Sequence, residues 1–253
     1  VVTGSGTTYS VAVSGMTGDG TVIASIPAGV ATDTLGNTNT ASTSTDNTVA
    51  YDITDPTVTI NQAAAQIDPT GISPVNFTVV FSEPVTGFTI ADLNLGGTAG
   101  ATTAVITGSG TTYNVAVSGM SASGTVFVSI TDAAATDAVG NPSIASTSTD
   151  NTVSFDTGAP SVVINQAAGQ ADPTNVSPIN FTVVFSKPVT GFTNADVVLT
   201  GTAGANTSVV TGGPTTYNVV VSGMVGDGTV IASIPAGRAL DSAGNGNSAS
   251  TST

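Results

Sequence analysis

Short runs in which large apolar side chains alternate with small or polar ones recur along the whole chain, and no stretch carries helical spacing. Alternation with a period of two is the signature of strands that bury one face. Residues 8–13 (TYSVAV) and 20–26 (GTVIASI) show it, and both return as TYNVAV with GTVFVSI and again as TYNVVV with GTVIASI. In residues 75–81 (VNFTVVF) the same alternation puts Phe77, Val79 and Phe81 on one face. Turn signals separate the runs: Asp68-Pro69-Thr70-Gly71, Ser82-Glu83-Pro84-Val85, and Asp137-Ala138-Val139-Gly140-Asn141, where Gly and Asn tolerate the backbone angles of a tight loop. About seven strands in roughly a hundred residues predict an all-β fold, an antiparallel β-sandwich of immunoglobulin type without its Cys and Trp marks.

The pattern repeats every 104 residues: Tyr9, Tyr113 and Tyr217 are one period apart, as are Asn61 and Asn165, and Phe77 and Phe181. The expected organisation is therefore a tandem array of β-sandwich modules in an extended rod. Residues 1–54 read as the C-terminal half of a module, 55–158 as a complete module, and 159–253 as a module lacking its last strand. Residues 135–160 read as a turn, a long polar strand and a Pro-marked joint, with near copies one period upstream and downstream. No signal peptide or run long enough to span a membrane is present, and the cut modules suggest a piece of something longer.

Composition narrows the function. There are 16 acidic residues against two basic ones, Lys187 and Arg238, and no Cys, His or Trp. A net charge of -14 argues against nucleic acid and anionic membrane surfaces as partners. Without His or Cys there is no Ser-His or Cys-His nucleophile, and no Gly-rich phosphate loop is found. Glu83 is the sole Glu and its copy is Lys187, so a carboxylate pair for sugar hydrolysis is not expected, nor is catalysis of any kind.

Residues 81–93 (FSEPVTGFTIADL), 111–119 (TTYNVAVSG) and 135–141 (ATDAVGN), with FDTGAP after them, resemble the bacterial Ig-like repeats of very long surface adhesins and biofilm-associated proteins. The resemblance implies an extracellular or cell-surface rod, with calcium bound where modules meet.

Tracing the strands gives a separate route to the same chemistry. The first strand of a module leaves the joint, the second returns and delivers Glu83 there, and the turn at Asp137 precedes a last strand running away from it. Asp52 and Asp55 from the preceding module, Glu83 and Asp137 should then converge on the first joint, with Asn141 or backbone carbonyls completing the set. Clustered carboxylates repel unless a cation or protons intervene. A hard divalent ion taking six to eight oxygens suits them, and zinc or copper does not without His or Cys. Asp33 and Asn37 are the corresponding pair for a joint to a preceding module. A plainer reading has Asp137 capping its own turn and Asp52 as a solvated strand end.

At the second joint Asp156 and Asp241 remain, but Ala159 replaces Asp55 and Lys187 replaces Glu83. Lys187 is expected to pair with Asp156 or Asp241 in place of a metal. Asp68 and Asp172 read as turn residues at the far end of each module, and Asp46 and Asp150 as facing water. Two functions remain open: a structural rod whose partners are neighbouring modules or copies of the same chain, and an adhesive module gripping a glycan, host or environmental surface through exposed loops.

Overall fold

A computed structural model describes residues 1–252, and they are built from strands and loops, with short 3-10 turns at Ile90–Asp92 and Asn194–Asp196. The chain opens with β1 (Val2–Ser5), β2 (Thr8–Val11), β3 (Gly20–Ile23) and β4 (Thr48–Tyr51). β1 pairs with β2 from Val2↔Val11 to Ser5↔Thr8, and β3 with β4 from Gly20↔Tyr51 to Ile23↔Thr48, all antiparallel. No side chain in this stretch is buried.

Burial begins with β5 (Val58–Gln62) and β6 (Val75–Val85), and continues through β7 (Leu93–Gly96), β8 (Thr103–Ser118), β9 (Gly124–Ile130) and β10 (Thr152–Phe155). One sheet has the order β5-β6-β8 and the other β10-β9-β7. Each strand sends alternate residues inward. Val75, Phe77, Val79 and Phe81 from β6 meet Val115 and Val117 from β8, with Val126, Val128, Ile130, Val153 and Phe155 arriving from the opposite sheet. The buried face is apolar at every second position because the pleat reverses side-chain direction at each residue. A Val or Phe fully withdrawn from water in this way contributes about 1.5–3 kcal/mol.

The motif FSEPVTGF earns its place in this core through Phe81, Phe88 and Tyr113, whose rings meet edge to face with centroids 5.3–5.9 Å apart. The Tyr113 hydroxyl donates to the Val85 carbonyl at 3.2 Å, tying β8 to the end of β6. Tyr113→Phe keeps the ring and removes that bond, so it is expected to cost about 0.5–1.5 kcal/mol in urea unfolding.

The same plan follows one period on, with β11 (Val162–Gln166), β12 (Ile179–Phe185), β13 (Val198–Thr200), β14 (Thr207–Gly212), β15 (Thr216–Ser222) and β16 (Ile231–Ser233). β11 meets β12 with Val162↔Phe185, as β5 meets β6 with Val58↔Phe81. β14 and β15 are the two arms that β8 carries as one bent strand. A second core gathers around Val183, Phe185, Val219, Val221 and Ile234, and Phe185, Phe192 and Tyr217 repeat the aromatic cluster.

The polar run expected as one long strand is divided between the two sheets. Residues 144–147 lie parallel to β5, with Ile60 N–H donating to Thr147 O and Thr147 N–H to Val58 O, and only Thr152–Phe155 pairs with β9. Asn61 Oδ1 makes the crossing possible by accepting from Ser148 Oγ and from the N–H groups of Thr149 and Asp150. Beyond the crossing, Asp68 Oδ1 accepts from Ser154 N–H and so fixes β10, a use the sequence does not disclose.

Candidate metal centre at the joints

The turns beginning at Asp33, Asp137 and Asp241 have the same construction. Asp137 Oδ1 accepts the N–H groups of Val139, Gly140 and Asn141 at 2.7–2.9 Å, and Gly140 takes a φ of 101° that closes the loop. Asp33 Oδ1 accepts from Leu35 and Asn37, and Asp241 Oδ1 from Ala243 and Asn245. One carboxylate oxygen is thus spent on the turn, as the plainer reading holds. The other accepts the side-chain amide of the turn's Asn, at 2.8 Å in the Asp137 turn.

The acids that end β4 and β10 divide their oxygens in the same way. Asp52 Oδ1 accepts from Thr54 N–H, and Asp156 Oδ1 from Gly158 N–H. At the first joint, Asp52, Glu83 from β6 and Asp137 each bring a carboxylate oxygen to within 4.8 Å of the others. Asp137 is buried, while Asp52 and Glu83 are half-buried. Asn141 joins the two modules by donating its Nδ2 to the Asp52 carbonyl at 3.4 Å. Asp55 is exposed and stands outside the triad, and Asp33 and Asn37 are exposed at the far end of residues 1–54.

Asp19 is a residue that reading the sequence did not single out. Its carboxylate accepts from Ile53 N–H at 2.8 Å and from the Thr54 hydroxyl, which brings a further charge to the first joint. The signal was present: Asp19 and Asp227 are two periods apart, and Ser123 holds the place between them.

Electrostatics record the crowding. Desolvation, followed by the charges of Asp52, Asp137 and Asp19, pushes the Glu83 carboxyl above its ordinary value. Burial works to raise Asp137, but the N–H groups of its turn and the Asn141 amide outweigh it and hold that carboxyl low. A raised folded-state pKa means that ionised Glu83 disfavours the folded form as pH climbs through that value. In chelator at neutral pH, Glu83→Gln is therefore expected to melt higher than the parent chain. The difference should vanish below about pH 4.3, where the glutamate is protonated in both states.

At the second joint the equivalent space holds an ammonium. Lys187 Nζ lies 2.7 Å from Asp156 Oδ2, 3.2 Å from Asp241 Oδ2 and 2.5 Å from the Gly158 carbonyl. It reaches both acids at Oδ2, an atom that in Asp241 also accepts the Asn245 amide at 3.2 Å. Its hydrogen bond to Asp156 raises the Lys187 pKa, and the same contact lowers that of Asp156. The Asn clasp recurs here, with Asn245 Nδ2 donating to the Asp156 carbonyl at 2.8 Å.

The second joint also closes around Gly71, whose N–H donates to Ala243 O at 2.8 Å. A Cβ on Gly71 would stand 2.6 Å from Asn245 Oδ1 and 2.8 Å from the Asp156 carbonyl. Gly71→Ala is expected to cost about 1–3 kcal/mol through this crowding, read as a lower urea midpoint.

Residues 52–155 match the family model of the bacterial Ig-like domain. Over these residues the chain is similar to a bacterial Ig-like domain. The match spans the triad, from Asp52 through Glu83 to Asp137, and both sheets of the first core. No curated protein matches the chain. Bacterial Ig-like domains are typically non-enzymatic surface modules. Among the described residues, no helix is long and apolar enough to cross a membrane.

Proposed function

We propose that the chain is a structural, non-catalytic segment of a long extracellular surface protein, and that a calcium ion at the first joint stiffens it. The observation that carries this reading is the convergence of Asp52, Glu83 and Asp137 at a boundary whose copy is filled by a cation, Lys187. The donors are carboxylates, with main-chain carbonyls and water to complete six to eight oxygens, and this set favours a hard divalent ion. Asn141, whose amide holds the Asp52 carbonyl, serves the site by keeping the two modules in place. The partners are neighbouring modules in the same rod or in copies of the chain, and the rod would carry an adhesive end towards a host or environmental surface.

Calorimetric titration of the chain with calcium tests this. Heat of binding that Asp52→Asn and Asp137→Asn both abolish supports the reading, and a parent chain that takes up no calcium overturns it.

A further inference from the structure

We infer that the two joints are closed by different cations, a bound divalent ion at the first and the Lys187 ammonium at the second, and that three linked positions set the choice. The first half rests on the function proposed above; the second rests on the contacts that Lys187 makes with Asp156, Asp241 and the Gly158 carbonyl.

The joints share a framework and differ in their filling. Asp52 and Asp156, Asp137 and Asp241, and Asn141 and Asn245 are one period apart and bond alike, down to the clasp on the main-chain carbonyl 89 residues away. The residues that change do so together. Asp19 becomes Ser123, Thr54 becomes Gly158, Asp55 becomes Ala159 and Glu83 becomes Lys187. Asp19 and Glu83, the two acids of this set that stand near the site, leave and one ammonium arrives, which lowers the negative charge that an external cation would balance.

Gly158 is tied to the lysine by contact, and Ser123 through the shared partner Asp156. Gly158 accepts Lys187 Nζ on its carbonyl, and a Cβ at Gly158 would lie 3.2 Å from that nitrogen, closer than is comfortable. Thr54, at the same place in the first joint, turns its hydroxyl to Asp19 instead. Ser123 replaces that acid with a neutral group, its Oγ accepting from Thr157 N–H and lying 3.4 Å from Asp156 Oδ1. Calcium should then govern one joint of the chain and leave the other closed in its absence.

The chain has no cysteine, so paired labels can be placed cleanly. Thr3, Thr107 and Thr211 are exposed and one period apart. Spin labels at Thr3→Cys with Thr107→Cys report the first joint, and Thr107→Cys with Thr211→Cys the second. Chelator is expected to broaden the first distance distribution and leave the second unchanged, whereas Lys187→Ala should broaden the second with or without calcium. The triple variant Ser123→Asp, Gly158→Thr, Lys187→Glu should gain a second calcium ion and make the second distance sensitive to chelator.

A second distance that broadens in chelator in the parent chain, or stays narrow in Lys187→Ala, overturns the inference. If calcium affects neither distance while Lys187→Ala still loosens the second, the divalent-cation reading fails and the lysine closure stands.

Discussion

Phe77→Ala is expected to destabilise the complete module by about 3–5 kcal/mol, because a fully buried ring leaves a cavity that its neighbours cannot fill. Phe77 is 0% exposed and sits near the start of β6, opposite Gln62 on β5 and Val115 on β8. Strands hold it on both sides, so the sheet cannot collapse inward without breaking register. Against a total stability of about 5–15 kcal/mol for a domain, the loss takes a large share. Urea unfolding followed by circular dichroism should show a lower midpoint at unchanged slope, as a loss of stability alone requires. Val105→Ala is the control, since Val105 is 55% exposed on β8, and it should stay within about 0.5 kcal/mol of the parent.

Calcium is the second large lever. An ion that binds only the folded form stabilises it by about 2.7 kcal/mol at a hundred times its Kd. For a domain of this size each kcal/mol moves the melting temperature by about 4–8 °C, so the shift between saturating calcium and chelator should be plain in a thermal scan. Asp137→Asn keeps a side chain that can hold the turn and removes a charge from the triad, and it should erase the shift. Magnesium, which demands tighter octahedral geometry and gives up its water reluctantly, should protect less. A melting temperature indifferent to calcium would count against a metal at this joint.

Much of this architecture could be read from the residues. Alternation in β6, β9 and β15 is strict enough to fix which side chains enter the cores, and the 104-residue period fixes how often the plan recurs. The meeting of Asp52, Glu83 and Asp137 followed from strand direction alone, since two strands and a turn must end where the chain enters the module. The engagement of Lys187 followed from charge.

What escaped depends on contacts that no local pattern encodes. The polar run changes sheets because the Asn61 side chain, more than eighty residues upstream, accepts its turn. Asp19 reaches the first joint through Thr54 and Ile53, and Gly71 lies against the next module. The Asn61 and Asp19 contacts join residues far apart in sequence within a module, and only the Gly71 contact follows from how modules sit end to end. Asp55, one residue before Pro56, was grouped with its neighbours on proximity, yet it lies exposed outside the triad.

The Asn141 and Asn245 clasps grip main-chain carbonyls, which every residue supplies, so they would survive any shuffling of repeats. The side chains around them would not. Recombination that excised the 104-residue repeat between the two joints would set Asp19 and Thr54 beside Lys187, a combination present at neither joint.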